Sequence, residues 1–371
     1  YGTGPTLEIA EVILRDSAKI QEERAEQVNQ EGYSRHKPAE PLYDTEDVEK
    51  TLPLFRHQPL DKWMNLGENI RYRHRYNGHI LGSTFIELEI EGKLLVFSGD
   101  IGRNEDPLLY PPQKPEKADI LFIESTYGNR THLHEDIMER LKTHILETIE
   151  HNGILLIPSF AVERSQLLMY FLWQLKKDQL IPDIPVYLDS PMGANVLKIL
   201  HHSSKWHKLN PADCEAMCKN IKVTSSYKDT LDILRDSQPK VVIAGSGMVN
   251  GGRILNYLAQ YSYKESTTIL LAGYQAEGTN GRHLMEGTEE LKIYGKYYRV
   301  KAKVDALHGL SAHADQNELL DWLNEIQNTP QKIFITHGEP HPADALRVKI
   351  KDTYGWDAEV PKLYDIIPLE L

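Results

Sequence analysis

The stretch YNGHILGSTFIELEIEGKLLVFSGD, residues 76–100, predicts a β-hairpin with a polar side chain suited to metal binding at each end. Apolar residues alternate along residues 83–90 and fill residues 93–97, and Glu91-Gly92 between the two runs is a tight-turn sequence. Because a hairpin folds the chain back on itself, we expect His79 and Asp100 to lie near the same sheet edge. An imidazole and a carboxylate are two ligands for a metal such as zinc, so the rest of the site must come from elsewhere in the chain.

The composition predicts a globular protein of two domains that resides in the cytoplasm. The chain has 371 residues, which is enough for about two domains. No apolar run approaches the length of a membrane helix, so we expect no membrane partner. Cys214 and Cys218 are the two cysteines, which excludes a disulfide framework and favours a reducing compartment.

The charge of the chain argues against wholesale, non-specific binding of nucleic acid. The formal net charge is −12, and this acidic surplus is compatible with a cluster of carboxylate ligands. A local basic groove is still allowed. The most basic run contains Arg71, Arg73, His74 and Arg75, which form either a solvated strand face or a phosphate contact beside the His79 loop.

The middle of the chain alternates short apolar runs with helical patterns, which is typical of a parallel, doubly wound sheet. One such unit is a strand over residues 153–157 followed by a helix over 161–177. The turns after these strands carry small and polar residues that can meet phosphate where a helix begins. These candidate RNA-binding residues are Ser159, Arg164, Asp189, Ser190, Ser246, Gly247, Arg253 and Gln275.

Three further residues with metal-binding or acid–base chemistry directly follow predicted strands. Glu124 follows a buried strand, His313 lies on a strand-to-helix loop, and His337 follows the buried strand at residues 332–335. Any one of these residues taken alone favours a structural role. Together with His79 and Asp100 they are the set that a dinuclear metallohydrolase needs, with imidazole and carboxylate ligands and groups to handle protons.

The motifs in this order resemble those of the β-CASP family of metallo-β-lactamase-fold ribonucleases. The resemblance rests on GHILGS, SGD, EST, SAHAD and THGE, and on PSFAVERSQ, LDSPMG, GSGM, GGR and GYQAEGTNGR between them. It implies an α/β fold, a metallo-β-lactamase αββα sandwich that is N-terminally incomplete, with an inserted β-CASP α/β parallel-sheet domain. The implied domain limits are 1–130 and 301–371 for the two parts of the sandwich and 131–300 for the insert.

The resemblance also implies a role for each site residue. His79 and His337 match histidine ligands of two different zinc ions, and Asp100 matches the aspartate that bridges them. Glu124 matches an acidic residue that orients His313, and His313 matches the histidine that protonates the leaving 3′ oxygen. In this family a histidine at the position of His337 accompanies RNA cleavage, with products that carry a 5′ phosphate and a 3′ hydroxyl.

One motif of the family, H-x-H-x-D-H, is not found in these residues. It supplies most of the remaining zinc ligands, and the resemblance places it upstream of the segment that begins at Tyr1. Two Zn²⁺ are expected in the complete protein. Without that motif each zinc would keep two protein ligands, whereas three or four are normal, so we expect weak or absent zinc and poor RNA cleavage for this chain by itself.

The expected partner is single-stranded RNA, held in the cleft between the sandwich and the insert. A homodimer is a further expectation. Two alternative functions remain at this stage: a non-catalytic RNA-processing scaffold of the same family and a small-molecule hydrolase of the same fold. Endonuclease and 5′ exonuclease modes are both open.

Overall fold

A computed structural model of the chain describes residues 1–32, 35–133, 135–224 and 226–369. The first part contains two helices and the first five strands. They are α1 (Gly4–Glu31), α2 (Thr45–Thr51), β1 (Met64–Gly67), β2 (Ile70–Tyr76), β3 (Thr84–Ile90), β4 (Lys93–Phe97) and β5 (Ile120–Glu124). None of the helices in the described ranges has both the length and the apolar character that a membrane crossing requires.

The middle part alternates helices and strands, as predicted. Its elements are α3 (Ile137–Glu150), β6 (Ile154–Pro158), α4 (Arg164–Lys177), β7 (Val186–Asp189), α5 (Pro191–His202), α6 (Pro211–Lys219), β8 (Lys222–Thr224), α7 (Tyr227–Arg235), β9 (Lys240–Ala244), α8 (Ile254–Tyr261), β10 (Thr267–Ala272), α9 (Asn280–Met285), β11 (Glu290–Ile293), β12 (Lys296–Arg299) and β13 (Lys303–Leu307). The last part contains α10 (Gln316–Leu323), β14 (Lys332–Thr336) and α11 (Pro340–Tyr354).

The predicted hairpin is the antiparallel pair of β3 and β4, with Ile90 opposite Lys93. Glu91 and Gly92 in the turn both have positive φ, 51° and 85°. Two consecutive residues of positive φ match the twist that a two-residue hairpin turn requires, so the turn sequence explains the register of the hairpin.

The first sheet has six strands in the order β1-β2-β3-β4-β5-β14. Strands β1 to β4 are antiparallel, whereas β4, β5 and β14 run parallel. Helices α10 and α11 cover one face, where Trp322 and Leu346 are almost fully buried against residues of the sheet. The described residues thus contribute one mixed sheet and one helical layer of a layered α/β domain.

The second sheet has six strands in the order β13-β10-β6-β9-β7-β8, and every pair is parallel. Its central strands β6, β9 and β10 are mostly apolar and are buried along their whole length, as expected for a doubly wound sheet. Strand β13 pairs with β10, so this sheet extends to Leu307. The predicted limit of the insert at residue 300 precedes this strand.

Helix α4 begins later than its sequence pattern predicts. The pattern indicates a helix from residue 161, but the helix begins at Arg164 because Glu163 has a φ of 65°. A glutamate in this left-handed region cannot continue a right-handed helix, and such a conformation is costly for a side chain that is not glycine. The prediction of the helix start was therefore wrong by three residues.

Candidate active site

The site lies at the edge of the first sheet where the parallel strands β4, β5 and β14 end. Asp100 follows β4, Glu124 is the last residue of β5, and His337 follows β14. Glu124 and Thr336 are partners in the parallel ladder, so His337 emerges beside the end of β5. His79 comes from the loop between β2 and β3, and this arrangement brings all four residues to one edge, as the sequence predicts.

The loops that carry His79 and Asp100 are in direct backbone contact. A Cβ atom on Gly102 would lie 2.1 Å from the carbonyl carbon and oxygen of Gly78, so only glycine fits there. The side-chain amide of Asn77 donates to the carbonyl oxygens of Ser98 and Asp100, at 2.7 and 2.5 Å. Asn77 is fully buried and was not anticipated, although it directly precedes Gly78-His79 in the chain.

Asp100 lies between two histidines and faces each with a different oxygen. Its Oδ2 is 3.6 Å from Nε2 of His79, and its Oδ1 is 3.2 Å from Nδ1 of His337. Burial, together with the nearby His313, lowers the pKa of His79 to about 4. His79 is therefore neutral near pH 7, which is the form of imidazole that binds a metal.

Glu124 and His313 form the second pair of the site. Nδ1 of His313 is 3.1 Å from both carboxylate oxygens of Glu124, which is 1% exposed. Burial by itself raises the pKa of Glu124, but the hydrogen bond and charge of His313 outweigh it, and the net pKa is lowered. Burial likewise lowers the pKa of His313, and the Glu124 carboxylate reverses this effect, so that the net pKa of the imidazole is raised.

Backbone and side-chain hydrogen bonds hold the Glu124–His313 pair in place. The amides of Ile101 and Thr126 donate to the two oxygens of Glu124, at 2.6 and 3.2 Å. Nε2 of His132 lies 2.9 Å from the carbonyl oxygen of His313. His132 was missed because nothing in its local sequence distinguishes it from a surface histidine.

His337 is held by the loop that follows β5. Oγ1 of Thr126 lies 3.3 Å from Nδ1 of His337 and donates to its carbonyl oxygen at 3.1 Å. His337 has a φ of 51°, and a Cβ on the next residue, Gly338, would lie 2.2 Å from Oγ of Ser125. The strained backbone and the glycine contact allow the two strand-end loops to approach closely.

The residues present fit a zinc-type metal. His79, Asp100 and His313 place ligand atoms within 4.8 Å of one another, and so do Glu124, His313 and His337. Nε2 of His79 is the ring nitrogen that faces the Asp100 carboxylate, so this nitrogen is the one placed to bind a metal beside Asp100. Imidazole and carboxylate donors at this spacing are the ligand types that zinc takes in proteins.

A cleft separates the site from the second sheet. Its volume is about 430 Å³, and His79, Thr126 and His313 line one side. The loops after the strands of the second sheet and the first turns of α4 and α5 line the other side, with residues that include Phe160, Glu163, Arg164, Met192 and Met248. At one end, the hydroxyl of Tyr274, which follows β10, donates to the carboxylate of Glu339, which follows β14.

Most of the predicted RNA-binding side chains form hydrogen bonds within the loops of the second sheet, on the side of the cleft opposite His79 and His313. Ser190 caps α5 by accepting from the amide of Gly193 at 3.0 Å, and Gln275 donates to the carbonyl oxygen of Gly247 at 3.2 Å. Ser159 accepts from the hydroxyl of Ser165 at 3.1 Å. These contacts shape the loops, and Ser246 with the backbone of Gly247 belongs to the same group of loops.

Asp189, Arg253 and Arg164 are also engaged within the protein. Asp189 is fully buried, accepts from Arg253 at 2.5 Å and accepts from the hydroxyl of Tyr257 at 2.7 Å. Nη1 of Arg164 donates to the carbonyl oxygen of Ala272 at 3.0 Å. Asp189 thus positions Arg253, and direct contact of these side chains with RNA stays a prediction.

The basic run on β2 is paired with acidic residues of β3. Arg71 donates to Glu89 at 2.8 and 3.0 Å, and Arg73 and Arg75 both pair with Glu87, which is 1% exposed. Trp63 lies under Arg71 and Arg73, with 4.7 Å between each guanidinium carbon and the ring centroid. Because these charges are already balanced, the structure favours the strand-face interpretation over a phosphate contact.

Two parts of the chain match known domain families. Residues 165–284 match the Beta-Casp domain, and residues 297–361 match the Zn-dependent metallo-hydrolase RNA specificity domain. These two matches cover most of the second sheet and the segment that carries His313 and His337.

The whole chain is also similar to curated proteins. It is 33% identical over 378 residues to Ribonuclease TTHA0252 of Thermus thermophilus, an alignment that covers 100% of this chain and 81% of that protein. It is 30% identical to the RNase J-like protein of Methanocaldococcus jannaschii, over 88% of this chain and 77% of that protein. It is 27% identical to the transcription termination factor FttA of Pyrococcus abyssi, over 100% of this chain and 57% of that protein. Together with the fold and the domain matches, these similarities show that the chain belongs to the β-CASP family of metallo-β-lactamase-fold ribonucleases.

Proposed function

We propose that this protein is a zinc-dependent ribonuclease that hydrolyses phosphodiester bonds of single-stranded RNA and leaves 5′-phosphate and 3′-hydroxyl ends. The observation that carries the proposal is the Glu124–His313 pair, which lies beside the His79, Asp100 and His337 donor set at one end of an open cleft. The names of the similar proteins, two of which are ribonucleases by name, support RNA as the substrate.

His79, Asp100 and His337 would hold the metal, with Asp100 facing both histidines. Bound zinc supplies an activated water and neutralises charge on the phosphate that reacts. Asn77 fixes the backbone at Asp100, and Thr126 fixes His337, so that both ligands are positioned before substrate arrives.

His313 would donate a proton to the 3′ oxygen that leaves when the phosphodiester bond breaks. Glu124 holds Nδ1 and favours the protonated imidazole, which leaves the Nε2 proton for the substrate. This division assigns Glu124 to positioning and His313 to proton transfer. Over one turnover the attacking water loses one proton and the leaving 3′ oxygen gains one, so the number of protons does not change.

The RNA strand would lie in the cleft between the first sheet and the loops of the second sheet. Arg164 and the loops braced by Ser159, Ser190 and Gln275 form the wall opposite His313. Backbone amides at the starts of α5 and α8, with Arg253 at the latter, are suited to contact phosphates. We assign the insert to holding the strand while the first sheet carries the chemistry.

The test is an RNA cleavage assay on a single-stranded oligonucleotide with zinc supplied in excess, and with the ends of the products analysed. We expect 5′-phosphate products, and we expect His313→Ala to reduce the rate about 100-fold or more because general acid catalysis contributes this much. His201→Ala, which changes an exposed histidine at the end of α5, is the matched control and should cleave like the parent.

Two outcomes would contradict the proposal. Equal rates for the parent and His313→Ala would show that cleavage comes from a contaminant or from another site. Binding of RNA without cleavage at any zinc concentration, by a polypeptide that also carries the H-x-H-x-D-H motif, would favour a non-catalytic scaffold.

A further inference from the structure

A second, smaller pocket lies beside the cleft and shares Tyr274 with it. Its volume is about 200 Å³, and the charged side chains that line it are basic, from Arg130, Arg282 and His308. No Asp or Glu among the described residues lines this basic pocket, although the chain as a whole carries 54 acidic and 42 basic residues. Small-molecule sites have volumes of about 300–1,000 Å³, so the basic pocket suits one charged group rather than a whole ligand.

Arg130 brings an unbalanced positive charge to the basic pocket. The residue is exposed, and its guanidinium carbon lies 4.8 Å from the ring centroid of Tyr127, which also lines the pocket. In the described part of the chain it has no carboxylate partner, whereas Arg103 pairs with Glu318 at 3.1 Å. A guanidinium that lies over a ring keeps its N–H donors at the edge, where they are free to meet an anion.

Arg282 faces the same pocket from α9. Its Nε pairs with Glu286 at 2.6 Å, which engages one edge of the guanidinium, and Glu286 does not line the pocket. Burial and the hydrogen bond to Glu339 raise the pKa of Tyr274 to about 12, and both Arg130 and Arg282 oppose this rise. The two guanidinium groups therefore lie close to the phenol of Tyr274, at the point where the basic pocket meets the cleft.

The basic pocket adjoins the proposed proton donor of the site. The ring centroid of Tyr127 is 6.4 Å from that of His313, and Nε2 of His132, another lining residue, lies 2.9 Å from the carbonyl oxygen of His313. None of the three proposed metal donors lines the pocket. The 3′ oxygen that His313 would protonate belongs to the nucleotide on the 5′ side of the reacting bond. The basic pocket is thus placed on the 5′ side of that bond.

An RNA strand that extends from the cleft toward the basic pocket passes the ring of Tyr274. This ring lies edge-on to that of Tyr127, with 6.3 Å between the centroids, and both rings line the pocket. Aromatic rings next to cations are the combination by which proteins hold single strands, since the rings contact bases and the cations contact phosphates.

We infer that the basic pocket is a subsite for an internal phosphate of the RNA strand, on the 5′ side of the bond that is cleaved, and that Arg130 and Arg282 hold this phosphate. The inference rests on the proposed function and extends the bound strand beyond the cleft. A phosphate accepts several hydrogen bonds at once, and the planar fork of a guanidinium matches its oxygens. An internal phosphate at this place requires RNA on both sides of the reacting bond, as in the substrate of an endonuclease.

The test measures binding without cleavage. Fluorescence anisotropy in the presence of a metal chelator gives dissociation constants of the 371-residue chain for a single-stranded RNA of about 12 nucleotides, labelled at its 3′ end. The RNA is used with a 5′ hydroxyl and with a 5′ phosphate, at salt concentrations from about 50 to 200 mM. A terminal phosphate is the other source of the same chemistry, and the two RNAs separate it from an internal one.

Arg130→Gln and Arg282→Gln should each weaken binding of both RNAs about tenfold at low salt, because a hydrogen bond to a charged group contributes this order. Each should also reduce the slope of log K against log salt by about 0.7, the contribution of one neutralised phosphate of a single strand. Arg130→Lys keeps the charge and should keep the slope. A purely structural role of the arginines would not change the slope.

Arg235→Gln is the matched control. Arg235 is exposed and pairs with Asp232 of its own helix at 3.5 Å, much as Arg282 pairs with Glu286. It ends α7 just before β9 begins, at the sheet edge opposite the cleft. We expect this variant to bind both RNAs like the parent.

The inference is overturned if Arg130→Gln and Arg282→Gln have the salt slope of Arg235→Gln. Weaker binding that is confined to the 5′-phosphorylated RNA would also contradict it, because the bound phosphate would then be terminal. A parent chain that binds neither RNA would contradict the proposed function itself, so the two failures are distinguishable. A thermal melt identifies a variant that does not fold, and the other arginine variant then decides the case.

Discussion

At the scale of single residues, the site depends on how each histidine is paired. His79 and His313 have ring centroids only 4.3 Å apart, yet their pKa values shift in opposite directions. Burial is the largest influence on the pKa of His79, whereas the carboxylate of Glu124 at Nδ1 raises the pKa of His313. The same side chain is therefore suited to metal binding at one position and to proton donation at the other.

Replacement of Glu124 by glutamine tests this division. The amide would set an NH₂ group against one of the backbone amides of Ile101 and Thr126 that now donate to the carboxylate. We expect the turnover number for RNA cleavage to fall about 100-fold, with little change in KM, as found when a group that orients a reacting side chain is lost.

Glu150→Gln is the matched control for this variant, because Glu150 is exposed. A change in KM with an unchanged turnover number would contradict the positioning role. Steady-state kinetics over a range of RNA concentrations separates the two results.

At the scale of elements, the site is built by contacts between loops that leave neighbouring strands. The parallel order of β4, β5 and β14 brings their carboxyl ends together, and glycines let the loops touch. Gly102 against Gly78 and Gly338 against Ser125 are the closest of these contacts at the site. The helices behind the sheet bury Trp322 and Leu346 and hold the strands that carry these loops.

Gly102→Ala should separate the loops of His79 and Asp100. Its Cβ would lie 2.1 Å from the backbone of Gly78, which cannot rotate away as a flexible side chain would. We expect the free energy of unfolding to fall by about 1–3 kcal/mol and the cleavage rate to fall with it.

The control for this variant is Gly251→Ala, because no atom lies within 4 Å of a Cβ at Gly251 and its φ is not positive. Urea denaturation of both variants supplies the comparison. Equal free energies of unfolding for the two variants would show that the loops can move apart at Gly102 without loss of stability.

At the scale of the whole molecule, several buried histidines make stability depend on pH. His144 of α3 is 2% exposed, its Nε2 is 3.3 Å from Oδ2 of Asp305 on β13, and burial outweighs this carboxylate so that its pKa is lowered. The pKa values of His74, His132 and His207 are lowered by burial as well.

These shifts predict that the protein loses stability as the pH falls below about 6.5, the ordinary pKa of histidine. A group whose pKa is lower when folded binds its proton preferentially in the unfolded state, so protonation favours unfolding. Above pH 6.5 both states are neutral at these positions, and the contribution to the pH dependence disappears. The raised pKa of His313 acts in the opposite direction and offsets part of the loss.

Urea denaturation between pH 5 and pH 8 checks this prediction. His144→Gln should show a smaller loss of stability on acidification than the parent, and His201→Gln, at an exposed position, should follow the parent curve. Parallel curves for the parent and His144→Gln would mean that His144 accepts its proton without cost in the folded protein.

Much of the fold and of the site could be predicted from local sequence. The β3–β4 hairpin matches the predicted ranges to within one residue because turn residues and apolar alternation act between neighbours in the chain. The motifs also identified Glu124 and His313, and the structure joins them by a hydrogen bond although they are 189 residues apart.

Only the tertiary structure decided which polar side chains are buried and which charged groups are paired. The sequence by itself determined the strand-helix order, the residues that bear the chemistry and the family to which they point. It did not determine that Glu87 and Asp61 together balance Arg73 and Arg75, or that Asp189 is buried against Arg253. The physical reason is that backbone propensity depends on adjacent residues, whereas the charge state and the partners of a side chain depend on which distant segments pack around it.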